Sequence, residues 1–194
     1  MKSRTSKNQN LGFTLIEALV TILITGIVAS IALPSFMTWV NNKKITDIAT
    51  KIEGALEEAK STAARKNKSC SVLITETQVS SPDAGCLPKG TRNIQENQDV
   101  GISNSNLQLA GTGGSTGTTI TFLAVGTVNI TPETATIIVY RNDNTTNGIK
   151  KCIAVSKGMA DIKNGNYTGT LPLTVDSDST DAELEAVANQ CIAT

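Results

Sequence analysis

Histidine is missing altogether from the 194 residues, so no imidazole is present to complete a catalytic triad or to ligate zinc. No paired carboxylates fall at a spacing that suits acid–base chemistry, and the two absences together weigh against an enzyme. Aromatic residues are scarce, at 3% with a single tryptophan, which leaves a core to be built mainly from Ile, Val, Leu and Ala. With Thr, Asn, Ser and Gly abundant beside them, that favours strands joined by polar turns. The four cysteines, Cys70, Cys86, Cys152 and Cys191, include no Cys-x-x-Cys pair and are spaced by 16, 66 and 39 residues, which fits no metal centre. No cofactor or metal is implied. Charge imbalance is absent as well, with 17 basic against 17 acidic residues.

Charge of either sign is also absent from one long stretch. From Phe13 to Asn42 the only charged side chain is Glu17, and the 21 residues from Phe13 to Leu33 are mainly apolar. As a helix they would reach about 30 Å, the hydrocarbon thickness of a bilayer. Glu17 stands out within the first turn or so of that run, because an ionised carboxylate at the centre of a membrane helix costs ~3 kcal/mol or more. Ahead of the run lie Lys2, Arg4 and Lys7 with no acidic residue, which predicts a cytoplasmic N-terminus. A secretory signal would put a small-residue cleavage site after the apolar run. Leu33-Pro34-Ser35-Phe36 offers none, and the small residue, Gly12, comes before it.

The order Gly12-Phe13-Thr14-Leu15-Ile16-Glu17 resembles the class III signal of type IV pilins and pseudopilins. The resemblance implies cleavage by a prepilin peptidase between Gly12 and Phe13 and N-methylation of Phe13. It also implies that Glu17 meets the Phe13 amine of a neighbouring subunit, an assembly register in which each charge offsets the other's desolvation. Loss of Lys2, Arg4 and Lys7 leaves 14 basic against 17 acidic residues, a net charge of −3 that argues against general nucleic-acid binding.

The division expected is a cleaved basic leader over 1–12, a transmembrane and filament-core helix over 13–34, an amphipathic helix over 35–66, and a β-rich periplasmic or extracellular domain over 67–194. Past Pro34 the helical signal resumes, with Ile45, Ile48, Ala49, Ile52, Ala55, Leu56, Ala59 and Ala63 at steps of three and four. One bent helix from about Phe13 to Lys66 is predicted, its second half lying against the soluble domain. Gly26 with Thr21, Thr25 and Ser30 would permit close helix approach in a filament core. All four cysteines follow the membrane segment, on the oxidising side, and an even count there reads as disulfides. Three pairings are open. Proximity favours Cys70 with Cys86, which leaves Cys152 to Cys191.

Beyond Lys68 the period shortens. Strands are predicted over Cys70–Thr75, near Val100–Ile102, and over Thr118–Leu123, Thr127–Ile130, Ala135–Arg141 and Ile149–Ser156, an antiparallel meander or sandwich. The fold class expected is therefore α+β, a long N-terminal helix packed on an antiparallel β-domain, and the resemblance to type IV pilins implies the pilin fold. The loop from Ala110 to Gly117 is glycine-rich, but it lacks the Gly-Lys-Ser/Thr and the following helix of a phosphate-binding loop. Thr180-x-x-Glu183 predicts a capping box opening a short helix whose inner face carries Leu184, Val187, Ala188 and Cys191. The acids Asp176, Asp178, Asp181 and Glu183 depart from an EF-hand, with Asp181 in the place of the turn glycine, and read as a solvated helix start.

The stretches Ile120–Val128 and Cys152–Lys163 resemble the β-region of H-type pseudopilins and of FimT and FimU minor pilins. Some FimT-like proteins take up DNA through a Gly-Arg-x-Arg motif. Here the corresponding residues are Gly158-Met159-Ala160-Asp161, with neither arginine, leaving only Lys150, Lys151, Lys157 and Lys163 nearby. The resemblances imply a structural minor pilin or pseudopilin that assists filament assembly in a type IV pilus or a type II secretion pseudopilus. A DNA-uptake subunit or a tip adhesin is the alternative. Expected partners are other pilin or pseudopilin subunits, prepilin peptidase, the inner-membrane assembly platform and, before assembly, membrane lipid. Nucleic acid is not expected. The expected location is the bacterial inner membrane, single-pass, then a periplasmic or cell-surface filament.

Overall fold

The computed structural model describes residues 13–75, 77–94, 100–104, 117–130, 134–141, 149–169 and 186–193. Within them the arrangement is α+β, a 52-residue helix α1 (Leu15–Lys66) followed by antiparallel strands. The chain divides into two compact units, Met1–Asn41 and Asn42–Thr194, with the boundary inside α1. Pro34 lies within α1 as a helical residue, although a proline in a helix interior removes one backbone hydrogen bond and costs about 3 kcal/mol.

In the second unit α1 presents the stripe read from the sequence. Ile45, Ile48, Ala49, Ile52, Ala55, Leu56, Ala59 and Ala63 are all buried in one core with the strands. The helix ends because Asn67 turns into the left-handed region at φ 50°, and the Lys68 N–H then donates to the Ala63 carbonyl at 3.2 Å, satisfying an otherwise orphaned acceptor.

One sheet contains β1 (Cys70–Thr75), β2 (Gln78–Ser80), β3 (Arg92–Asn93), β5 (Gly117–Phe122) and β6 (Val128–Asn129), in the order β3-β2-β1-β5-β6. The other contains β4 (Val100–Asn104), β7 (Thr134–Arg141), β8 (Lys151–Ser156), β9 (Ile162–Tyr167) and β10 (Cys191–Ala193), in the order β10-β9-β8-β7-β4. A single bridge, Val128 to Gly158, links the two. Strand alternation fills the core. Cys70, Val72 and Ile74 point inward from β1, Ile120 and Phe122 from β5, Ile137 and Val139 from β7, and Ile153 and Val155 from β8.

The second sheet is covered on its other face too, where Ile138, Cys152 and Tyr167 form a smaller cluster joined by Tyr140, Val187 and Cys191. This corrects the expectation that Cys191 lies on a helix face. A helical turn occupies 186–189 and Cys191 opens β10, pairing with Tyr167. The disulfide to Cys152 and the ladder to β9 hold it extended, and tertiary pairing overrides the helical period. Of the glycine-rich loop expected over 110–117 only Gly117 is described, and it begins β5. Gly12, the 176–183 acid cluster and the Thr180–Glu183 capping box lie outside the described residues.

Candidate assembly site at the N-terminal helix

The first unit is a helix with its apolar surface open. Phe13 is 81% exposed, and Leu15, Ile16, Leu19, Ile22, Leu23, Ile27 and Ile31 are exposed along it. By length and composition this helix can cross a membrane. Three of its hydroxyls are turned onto the backbone. Thr21 Oγ1 donates to the Ala18 carbonyl at 2.9 Å, Thr25 Oγ1 to the Thr21 carbonyl at 2.8 Å, and Ser30 Oγ to the Ile27 carbonyl at 2.7 Å. Hydroxyls satisfied in this way can face hydrocarbon without an unmet donor. Gly26 has open space where a Cβ would sit.

The start of the helix explains how Glu17 is accommodated. Thr14 is the cap, with its Oγ1 accepting the Glu17 N–H at 3.3 Å and its carbonyl accepting the Ala18 N–H at 3.1 Å. Glu17 therefore stands three residues inside the cap, in the first turn, where the unpaired N–H groups give the helix its positive end and a carboxylate is favoured by about 0.3–1 kcal/mol. Phe13, whose amine would be freed by cleavage after Gly12, immediately precedes that cap.

Thr14 was not singled out in the sequence, although Thr14-x-x-Glu17 carries the capping-box spacing. It fixes where the helix begins and so which turn bears the acid.

The model of the prokaryotic N-terminal methylation motif matches residues 7–33. The chain carries a type IV pilin-like class III signal. The match takes in Gly12, Phe13 and Glu17 and ends at Leu33, so it speaks for the signal and the apolar helix and leaves the finer subtype of the β-domain unassigned. No curated protein and no solved structure matches the chain. A motif and fold of this kind fit a structural protein anchored in a membrane by its N-terminal helix.

The four cysteines singled out in the sequence fall in the second unit. Disulfides join Cys70 to Cys86 and Cys152 to Cys191, with Cα separations of 5.6 and 5.8 Å. Cys86 sits in the β2–β3 loop, which is tied back to β1 where Ser81 Oγ donates to the Ser71 carbonyl and Asp83 accepts the Ser71 N–H. The same region grips α1 through contacts that no sequence spacing announces. Arg92 pairs with Glu58 and donates to the Lys51 carbonyl, while Glu58 also accepts the Lys89 N–H at 2.9 Å. Across the other sheet, Lys60 donates to the Ala160 carbonyl and Asn164 to Glu53.

Met159 is exposed in the turn after β8, Lys163 of β9 lies 3.2 Å from Asp161, and Lys150, just ahead of β8, donates to the Gly169 carbonyl. No arginine is present there to grip a phosphate. Among the described residues no group of three or more Cys, Asp or Glu is placed to hold a metal ion.

Proposed function

We propose that the chain is a structural minor pilin or pseudopilin subunit, cut between Gly12 and Phe13 by a prepilin peptidase and methylated on Phe13. It waits in the bacterial inner membrane as a single-pass protein with a cytoplasmic N-terminus, then enters a type IV pilus or a type II secretion pseudopilus and helps its initiation or assembly. The observation that carries this is an exposed apolar helix bearing one carboxylate in its first turn, in a chain whose other unit packs its own core. In the filament the Phe13 ammonium of one protomer meets Glu17 of the next. Neither charge is stable alone in an apolar core, and removing one partner of such a pair costs about 3–5 kcal/mol.

Glu17→Ala is therefore expected to insert into the membrane and to be processed normally, while incorporation into purified filaments falls by roughly a hundredfold, the factor that ~3 kcal/mol implies. Quantitative immunoblotting of membrane and filament fractions reads both, and unchanged incorporation would contradict the pairing.

A further inference from the structure

Near the far end of the first unit the helix surface changes character. Phe36 and Trp39 are each 57% exposed, and their rings stack at 5.9 Å between centroids with an interplanar angle of 30°. Trp39 is the only tryptophan in the chain, and its indole N–H has no hydrogen-bond acceptor among the described residues. Immediately beyond it the apolar sequence stops, at Asn41 and Asn42. A stacked aromatic pair with an unused donor, at the border between apolar and polar sequence, is costly to leave in water and poorly suited to the hydrocarbon centre. It is well matched to the carbonyl and headgroup layer of a bilayer, where the rings are wetted at one end only and the N–H finds ester or phosphate oxygens.

The helix length decides between this layer and the bilayer interior. Trp39 follows Glu17 by 22 residues, a rise of about 33 Å, against a hydrocarbon thickness of about 30 Å. With Glu17 at the cytoplasmic boundary, the depth its charge favours, Phe36 falls at the opposite edge of the hydrocarbon and Trp39 just outside it. We infer that Phe36 and Trp39 form an interfacial anchor that docks on the phospholipid headgroup layer of the outer leaflet and sets the depth at which the unassembled subunit rests. The inference deepens the proposed function and rests on α1 spanning the membrane.

The lone tryptophan makes the docking measurable in the full chain. The protein is reconstituted in phosphatidylethanolamine and phosphatidylglycerol vesicles, and Trp39 fluorescence is quenched in parallel by lipids labelled at the headgroup or deep in the acyl chain. Alkaline carbonate extraction reports separately whether the chain spans. The expected result is a carbonate-resistant protein whose Trp39 is quenched about twofold or more strongly by the headgroup label than by the deep one. Carbonate resistance with stronger quenching from the deep label places Trp39 in hydrocarbon and overturns the anchor while leaving the span intact. Carbonate resistance without quenching by either label means that Trp39 is covered by another copy of the chain, and likewise overturns it. Release by carbonate defeats the span itself, and the anchor with it.

Discussion

Gly169 shows how little freedom a single position can have. It is buried after β9, and a Cβ built on it would collide with the Tyr167 ring and hydroxyl and with the end of the Gln190 side chain. Gln190 can swing away, whereas Tyr167 is 5% exposed and held in the small cluster with Ile138 and Cys152. The same burial pushes the Tyr167 phenol above its ordinary pKa. Gly169→Ala is therefore expected to lose about 2 kcal/mol, the usual scale of overpacking. In a domain of this size that lowers the melting temperature by roughly 4–8 °C. Thermal unfolding of the full chain in detergent, followed by near-ultraviolet circular dichroism, would reveal it. Gly126→Ala, with a φ of 79° but open space around it, is the comparison in which only backbone strain is added.

The elements differ in how clearly the sequence announces them. The stripe from Ile45 to Ala63 repeats at helical steps because one face of α1 is buried and the other wet, and burial of this kind leaves a periodic signature. β1 and β8 are equally plain, being short apolar runs. β9 was missed because Ile162-Lys-Asn-Gly-Asn-Tyr167 buries only Gly165 and Tyr167, and its Asn and Gly content argues against a strand. β10 is three residues held by partners rather than by propensity. The clasp of Arg92 on Glu58 joins residues 34 apart, which no local pattern encodes, whereas the signal from Gly12 to Glu17 lies in six consecutive residues and could be read whole.

Because β10 depends on its partners, the two disulfides are predicted to fail differently. Replacing Cys152 and Cys191 together by Ala removes the closure of a 39-residue loop, worth about 4 kcal/mol by chain entropy, and should strip amide protection first from β10 and its β9 partners. Replacing Cys70 and Cys86 opens a 16-residue loop, worth about 3 kcal/mol, and should expose the β2–β3 loop while β10 stays protected. Hydrogen exchange read by mass spectrometry separates the patterns, and identical protection maps for the two variants would contradict the assignment of β10 to its disulfide.

At the scale of the whole molecule, one helix serves two solvents. Its first half leaves apolar side chains open with the Thr21, Thr25 and Ser30 hydroxyls folded onto the backbone, and its second half gives its apolar stripe to the β-sheets. The two halves are different physical objects within one helix, and the account requires that the basic leader be removed before the first half packs against like subunits. The most direct test is the intact mass and N-terminal sequence of the protein recovered from the membrane of cells that contain a prepilin peptidase. The account predicts a chain beginning at Phe13 and carrying one added methyl group on that amine. A chain that keeps Met1, or one that begins at any other residue, would contradict it.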